Sequence, residues 1–144
     1  MTAEKEPDIS SKSVNLPGGS ASALRVLFVD DEPLIAHLGE QFLKRLGYEP
    51  VVHTDPAKAL DAFLDGHFDL VITDLSMPML SGLDLGLRFL EERPGQRIIL
   101  TTAYHSMLEG KDVRTMGFCD FLPKPYNLIA LRDSIERALE RGRE

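Results

Sequence analysis

Five short apolar runs punctuate the chain, and between them lie amphipathic stretches long enough for one helix each. The runs are Val26-Leu27-Phe28-Val29, the weaker Val51-Val52, Leu70-Val71-Ile72-Thr73, Ile98-Ile99-Leu100 and Phe121-Leu122. They are continuous rather than alternating in polarity, as expected of strands covered on both faces. Strands separated by helical stretches join most economically through right-handed crossovers into a parallel sheet. The pattern therefore predicts an α/β fold, flavodoxin-like and doubly wound, in which five βα units build a five-stranded parallel sheet. A chain of 144 residues suits one such domain. At this size roughly 70% of the unfolded surface can be buried, so no disulfide or metal is needed to hold a core.

The helices are read from periodicity. Leu34, Ile35, Leu38, Phe42 and Leu46 recur at helical spacing, with Asp31 placed to cap, Pro33 in the first turn and Lys44 and Arg45 ahead of Gly47. A second helix is expected from Pro56 to Asp65. A third runs from Leu83 to Glu91, with Leu83, Leu87 and Leu90 on one face and Pro94-Gly95 behind it. A fourth, from Ser106 to Met116, is weakened by Gly110. The fifth, from Leu128 to Arg141, sets Leu128, Leu131, Ile135 and Leu139 on one face. Residues 1–23, rich in Ser, Gly and Pro, are too poor in apolar side chains to offset the entropy of ordering. They are expected to form a flexible tail ahead of a domain at 24–144.

The 16 basic and 23 acidic residues give a net charge of −7, which argues against a surface that holds nucleic acid directly. Cys119 is the sole cysteine and is read as a small buried hydrophobe; no disulfide framework, signal peptide or membrane-length apolar run is evident. The expected compartment is the cytoplasm. His37, His53, His67 and His105 lack metal-binding spacing. Arg132, Arg137, Arg141 and Arg143 alternate with acids, which reads as a solvated face with local ion pairs.

Ligands of such folds sit beyond the carboxyl ends of the strands. Those positions hold Asp30-Asp31-Glu32, Asp74, Thr101-Thr102 and Lys124. Crowded carboxylates repel one another, and a hard divalent cation such as Mg²⁺ compensates them. Lys124 offers a point charge for a phosphoryl oxygen and Thr102 a hydrogen bond. No phosphate-binding glycine loop follows the first run, so the phosphoryl group is expected on the protein itself, with a carboxylate as nucleophile. Asp74, ending the most central run, is the acceptor this reasoning selects.

Val29-Asp30-Asp31-Glu32-Pro33, Val71-Ile72-Thr73-Asp74-Leu75-Ser76-Met77-Pro78, Gly82, Thr102-Ala103 and Lys124-Pro125 together resemble the signature of response-regulator receiver domains of two-component signalling. The resemblance covers about Leu24 to Arg141. It implies that Asp74 is phosphorylated from a histidine of a kinase or phosphotransfer protein, with Mg²⁺ required. It further implies that Asp31 and Asp74 bind the metal directly, Asp30 through water and Ser76 through its backbone carbonyl. Thr102 and Lys124 would contact the phosphoryl oxygens, and Phe121 would be the aromatic switch. The surface of the fourth helix, fifth strand and fifth helix would then change shape and engage a downstream protein. A homodimer through the fourth and fifth helices is compatible with that surface.

Some positions depart from the family's usual pattern. Ser81 stands before Gly82 where relatives usually carry Asp, and Phe121 lacks a tyrosine's hydroxyl, so its switch works by packing. Ser76 and Tyr104, two residues beyond Asp74 and Thr102, are candidates for setting the hydrolysis rate. The chain is expected to catalyse only its own phosphorylation and dephosphorylation. It would be a stand-alone regulator, a phosphorelay intermediate or a fragment of a longer regulator. The alternatives are an interaction module that works without phosphorylation, and an aspartate-nucleophile phosphatase. The phosphatase reading is weakened by Ser76, which stands where such enzymes carry a second Asp.

Overall fold

The computed structural model describes residues 23–75, 77, 82–103 and 113–141. They form β1 (Arg25–Val29), α1 (Pro33–Arg45), β2 (Glu49–His53), α2 (Pro56–Asp65), β3 (Leu70–Asp74), α3 (Gly82–Glu92), β4 (Ile98–Thr102), a 3₁₀ turn (Val113–Met116), β5 (Asp120–Pro123) and α4 (Leu128–Arg141). All strand pairs are parallel, in the order β2-β1-β3-β4-β5, which is the flavodoxin-like doubly wound arrangement predicted from the alternation. The two edge strands contain Pro50 and Pro123, and the three central ones contain no proline. A proline cannot donate to a ladder on both sides, so edges are where it is tolerated.

Successive strand residues feed opposite cores. Leu27, Val29, Val71, Ile98 and Leu100 pack with Ala59 and Phe63 of α2 and with Leu85 and Phe89 of α3. Val26, Phe28, Leu70, Ile72, Ile99 and Leu122 pack with Leu43 of α1 and with Leu131, Ile135 and Ala138 of α4. Cys119 is partly buried against this second core.

The helix boundaries agree closely with the periodicity, but two buried faces do not. In α1 the buried residues are Ala36, Gly39 and Leu43, whereas Leu34 is 83% and Leu38 43% exposed. In α3 they are Leu85, Gly86 and Phe89, with Leu87 left exposed. Both faces contain a glycine that lets a core phenylalanine come close: a Cβ at Gly39 would lie 2.4 Å from the Phe28 ring, and one at Gly86 2.7 Å from the Phe118 ring. The expected Asp31 cap is also absent, since α1 starts after Glu32 with no side-chain cap. Asp55 caps α2 through Ala57 N–H, and Asn127 caps α4 through Ala130 N–H.

Of the expected fourth helix, the described part is the 3₁₀ turn, with Gly117 following at φ +104°. The remainder of that helix, with Gly110, lies outside the described residues, as do residues 1–22 of the expected tail, Ser76 and Tyr104. Arg137 also departs from expectation: it bonds Asp120 on β5 rather than a neighbour on its own helix.

Candidate functional site: an acidic pocket at the strand ends

The strand register brings the site together. Val29 lies opposite Thr73, so Asp30 emerges level with Asp74. Asp74 in turn lies opposite Thr101, and Thr102 opposite Pro123, one residue before Lys124. The backbone reinforces this rim: Leu75 N–H donates to Thr101 O at 2.7 Å, Lys124 N–H to Thr102 O at 2.8 Å, and Asp30 N–H to His53 O at 3.2 Å.

Asp30 and Asp74 are buried, and Asp31 is partly exposed. Each offers a carboxylate oxygen, and all three oxygens lie within 4.8 Å of one another. Oxygens that ligate one Mg²⁺ at 2.0–2.1 Å sit roughly 3–4 Å apart, so this all-oxygen set fits a hard divalent cation. Lys124 Nζ donates to Asp30 Oδ2 at 2.6 Å and lies 3.3 Å from Asp74 Oδ1. The other Asp30 oxygen accepts Glu32 N–H at 3.0 Å. Both oxygens of Asp30 thus have partners.

Burial alone would lower the pKa of the Lys124 ammonium, but the adjacent Asp30 and Asp74 carboxylates outweigh it and hold it above the ordinary lysine value. Lys124 is therefore a fixed cation. It also shares Asp30 and Asp74 with any incoming metal ion. Lys124→Met is accordingly expected to bind Mg²⁺ about tenfold more tightly by calorimetric titration, since a competing charge has gone; unchanged or weaker binding would contradict the competition.

Tyr126, which sequence reasoning overlooked, packs against the α1/α4 core. Burial first, and then the charges of Asp30 and Asp74, raise the pKa of its phenol. The one available signal was its place two residues after Lys124. The folded chain keeps a proton there that the unfolded chain releases above about pH 10. Its contribution to stability is thus constant below that pH and falls above it. Tyr48 is shifted in the same direction by burial and then by Glu136, so in chelator the tyrosine ultraviolet titration of Tyr126→Phe is expected to lose one tyrosine's share of the amplitude above pH 10 that the wild type shows, while the share of Tyr48 remains.

Thr101 and Thr102 are both buried. Phe121 is partly buried against the α2/α3 core, beside the cluster that holds Val113 and Phe118.

A five-stranded parallel sheet carrying three clustered aspartates and a lysine at its carboxyl ends defines a receiver module. Residues 26–136 match the response regulator receiver domain family, and the chain belongs to it. The chain is 40% identical over 119 residues to the DNA-binding transcriptional regulator NtrC of Azospirillum brasilense, an alignment covering 82% of this chain and 24% of that protein. It is 33% identical over 118 residues to the transcriptional regulatory protein CpxR of Escherichia coli, covering 82% of this chain and 50% of that protein. The chain thus spans a quarter to a half of the length of these relatives. Among solved structures, the response regulator TrrA of Thermotoga maritima, in complex with Mg²⁺-BeF, aligns with a TM-score of 0.73 and 33% identity, over 81% of this chain and 99% of that one. A CheY-like receiver domain protein of Methanospirillum hungatei aligns with a TM-score of 0.78 and 27% identity, over 85% and 98%. The chain is therefore a receiver domain of the two-component kind, a signalling module rather than a classical enzyme. Among the described residues no helix is long and apolar enough to cross a membrane.

Proposed function

We propose that Asp74 accepts a phosphoryl group from a phosphohistidine of a kinase or phosphotransfer protein, in a Mg²⁺-dependent reaction. The observation that carries this reading is the meeting of Asp30, Asp31, Asp74 and Lys124 in one pocket. An Asp74 oxygen attacks phosphorus as the bond to the imidazole nitrogen breaks, and the chain's task is positioning and charge stabilisation. Mg²⁺, when bound, neutralises charge on the phosphoryl oxygens. Asp31 and Asp74 would ligate it directly, with the Ser76 carbonyl as a further ligand. Asp30, whose oxygens are already engaged by Lys124 and Glu32 N–H, would act through water. Lys124 and Thr102 would hold phosphoryl oxygens, Phe121 would report the change by repacking, and Ser76 and Tyr104 would set the lifetime.

A protein donor is supported by the apolar side chains around this rim. Leu34, on the first turn of α1, is 83% exposed and Ile129, on the first turn of α4, is 57% exposed. Both helices cover the same face of the sheet and begin at the acidic end. The natural setting is the cytoplasm, with a downstream protein reading the switched surface.

Incubation with an acyl phosphate and Mg²⁺, followed by intact mass, is expected to show one added phosphoryl group that a chelator prevents. An unchanged mass, at times shorter than the lifetime of a labile aspartyl phosphate, would overturn the reading. Steady Asp74-dependent turnover of phosphate monoesters would point instead to a phosphatase.

A further inference from the structure

Helices α2 and α3 meet through the buried Phe63 and Phe89 rings, 4.3 Å apart, and leave a groove of about 330 Å³ between them. Leu60, Asp84, Leu87, Arg88 and Glu91 line it. Leu64, one turn beyond Leu60, is 43% exposed and Leu87 is 40% exposed, so both helices offer open apolar side chains. Arg88 is held by Glu92 at 3.2 Å and lies 3.9 Å from Glu91. Beyond Arg88 and Glu92, the exposed charges of the two helices are Asp61, Asp65, Asp84 and Glu91 against Lys58. The groove is thus apolar along its length and acidic at its rim, and the acidic pocket uses none of its residues.

The chain enters the domain close to this groove. Arg25 Nη1 donates to His67 O at 3.0 Å and lies 3.6 Å from where a Cβ on Gly66 would stand, directly behind α2. Leu64 and Leu60 are two and six residues back from Gly66, about 3 and 9 Å along the helix axis. Leu16 precedes Leu24 by eight residues, and the intervening Pro17-Gly18-Gly19-Ser20-Ala21-Ser22 is a glycine- and serine-rich tether. A flexible tether of that length spans roughly 16 Å on average, enough to return to the groove. Upstream of it, Ile9 to Leu16 holds no acid and one base, Lys12. In an extended chain Lys12, Val14 and Leu16 fall on one side.

We propose that residues 12–16 dock in the α2/α3 groove as an extended segment, with Val14 and Leu16 against Leu60, Leu64 and Leu87 and with Lys12 beside Asp84 and Glu91. The tail as a whole is too poor in apolar side chains to order itself, but here five residues borrow an apolar surface that the domain already supplies. Two apolar side chains make a small contact. The tether offsets this by holding them at an effective concentration of about a millimolar, an advantage that a second copy or a separate protein lacks. The α2/α3 side is opposite the α1/α4 face offered to a phosphodonor, so docking is independent of the role of Asp74.

Methyl NMR on the full chain, without metal or phosphodonor, tests the docking. Nuclear Overhauser contacts are expected between the Val14 or Leu16 methyls and those of Leu64 or Leu87, unchanged on dilution. In the double variant Val14→Ser with Leu16→Ser, the Leu60, Leu64 and Leu87 methyl signals are expected to shift. Leu87→Asp, at an exposed position, is expected to return the Val14 and Leu16 methyls to the shifts of a separate peptide of residues 9–18. Groove methyls that keep their wild-type shifts in the double variant overturn the proposal and leave the groove to another protein. Contacts that fade on dilution overturn it as well, because a second copy is then the occupant.

Discussion

Asp74→Asn is expected to abolish Mg²⁺-dependent phosphorylation, leaving intact mass unchanged under conditions that modify the wild type. The substitution keeps the shape of the side chain at the end of the central strand but removes the anionic oxygen that would attack phosphorus. It also removes one negative charge from a pocket of three carboxylates and one ammonium, so the fold should tolerate it well. Lys124→Met provides the contrast. With the acceptor in place and the ammonium gone, phosphorylation should slow by about a hundredfold, the usual cost of removing one preorganised donor from a reaction centre. Because the same substitution is expected to tighten Mg²⁺ binding, the two readouts move in opposite directions. A slower reaction caused by poor metal binding would move them together. Wild-type phosphorylation rates in Asp74→Asn would exclude this residue as the acceptor.

The largest stability effects are expected at helix glycines rather than in the acidic pocket. At Gly39 a Cβ would lie 2.4 to 2.7 Å from three atoms of the Phe28 ring, which is only 1% exposed in the core between the sheet and helices α1 and α4. Gly→Ala in a helix interior ordinarily stabilises by about 1 kcal/mol. Overpacking a tight core costs about 1–3 kcal/mol. The clash should prevail, so that Gly39→Ala lowers stability by about 1–2 kcal/mol and Gly39→Val by about 3 kcal/mol, read from urea midpoints. In a double-mutant cycle, Phe28→Leu should cost less in the Gly39→Ala background than in the wild type, because the smaller side chain relieves the contact. A stabilised Gly39→Ala would show that α1 can retreat from the sheet without loss. Gly86→Ala, facing the Phe118 ring at 2.7 Å, is expected to behave in the same way.

These glycines mark the boundary of what is legible from the sequence. The continuous apolar runs identify all five strands to within a residue or two, because a strand covered on both faces has no polar position to interrupt it. The residues directly after those runs include Asp30, Asp31, Asp74, Thr102 and Lys124, and in a parallel sheet every such end lies on one rim. The residues of the pocket could therefore be named before any contact was known. The helix faces could not. Periodicity ranks side chains by hydrophobicity and assigned Leu34, Leu38 and Leu87 to the core, yet all three are exposed. Burial at those helices goes instead to the glycine-centred faces, where a phenylalanine from across the interface supplies the apolar bulk.

The amino-acid sequence by itself thus determined the topology and which side chains stand at the strand ends, since both follow from local pattern and from the direction every parallel strand shares. Only the tertiary structure decided how charges and rings distant in sequence pair. It seats Lys124 on Asp30, 94 residues away, buries the Tyr126 phenol in the field of two carboxylates, and ties Asp120 to Ser134 and Arg137. The physical reason is that these contacts depend on how closely two packed elements approach, and that distance is set by the side chains of both.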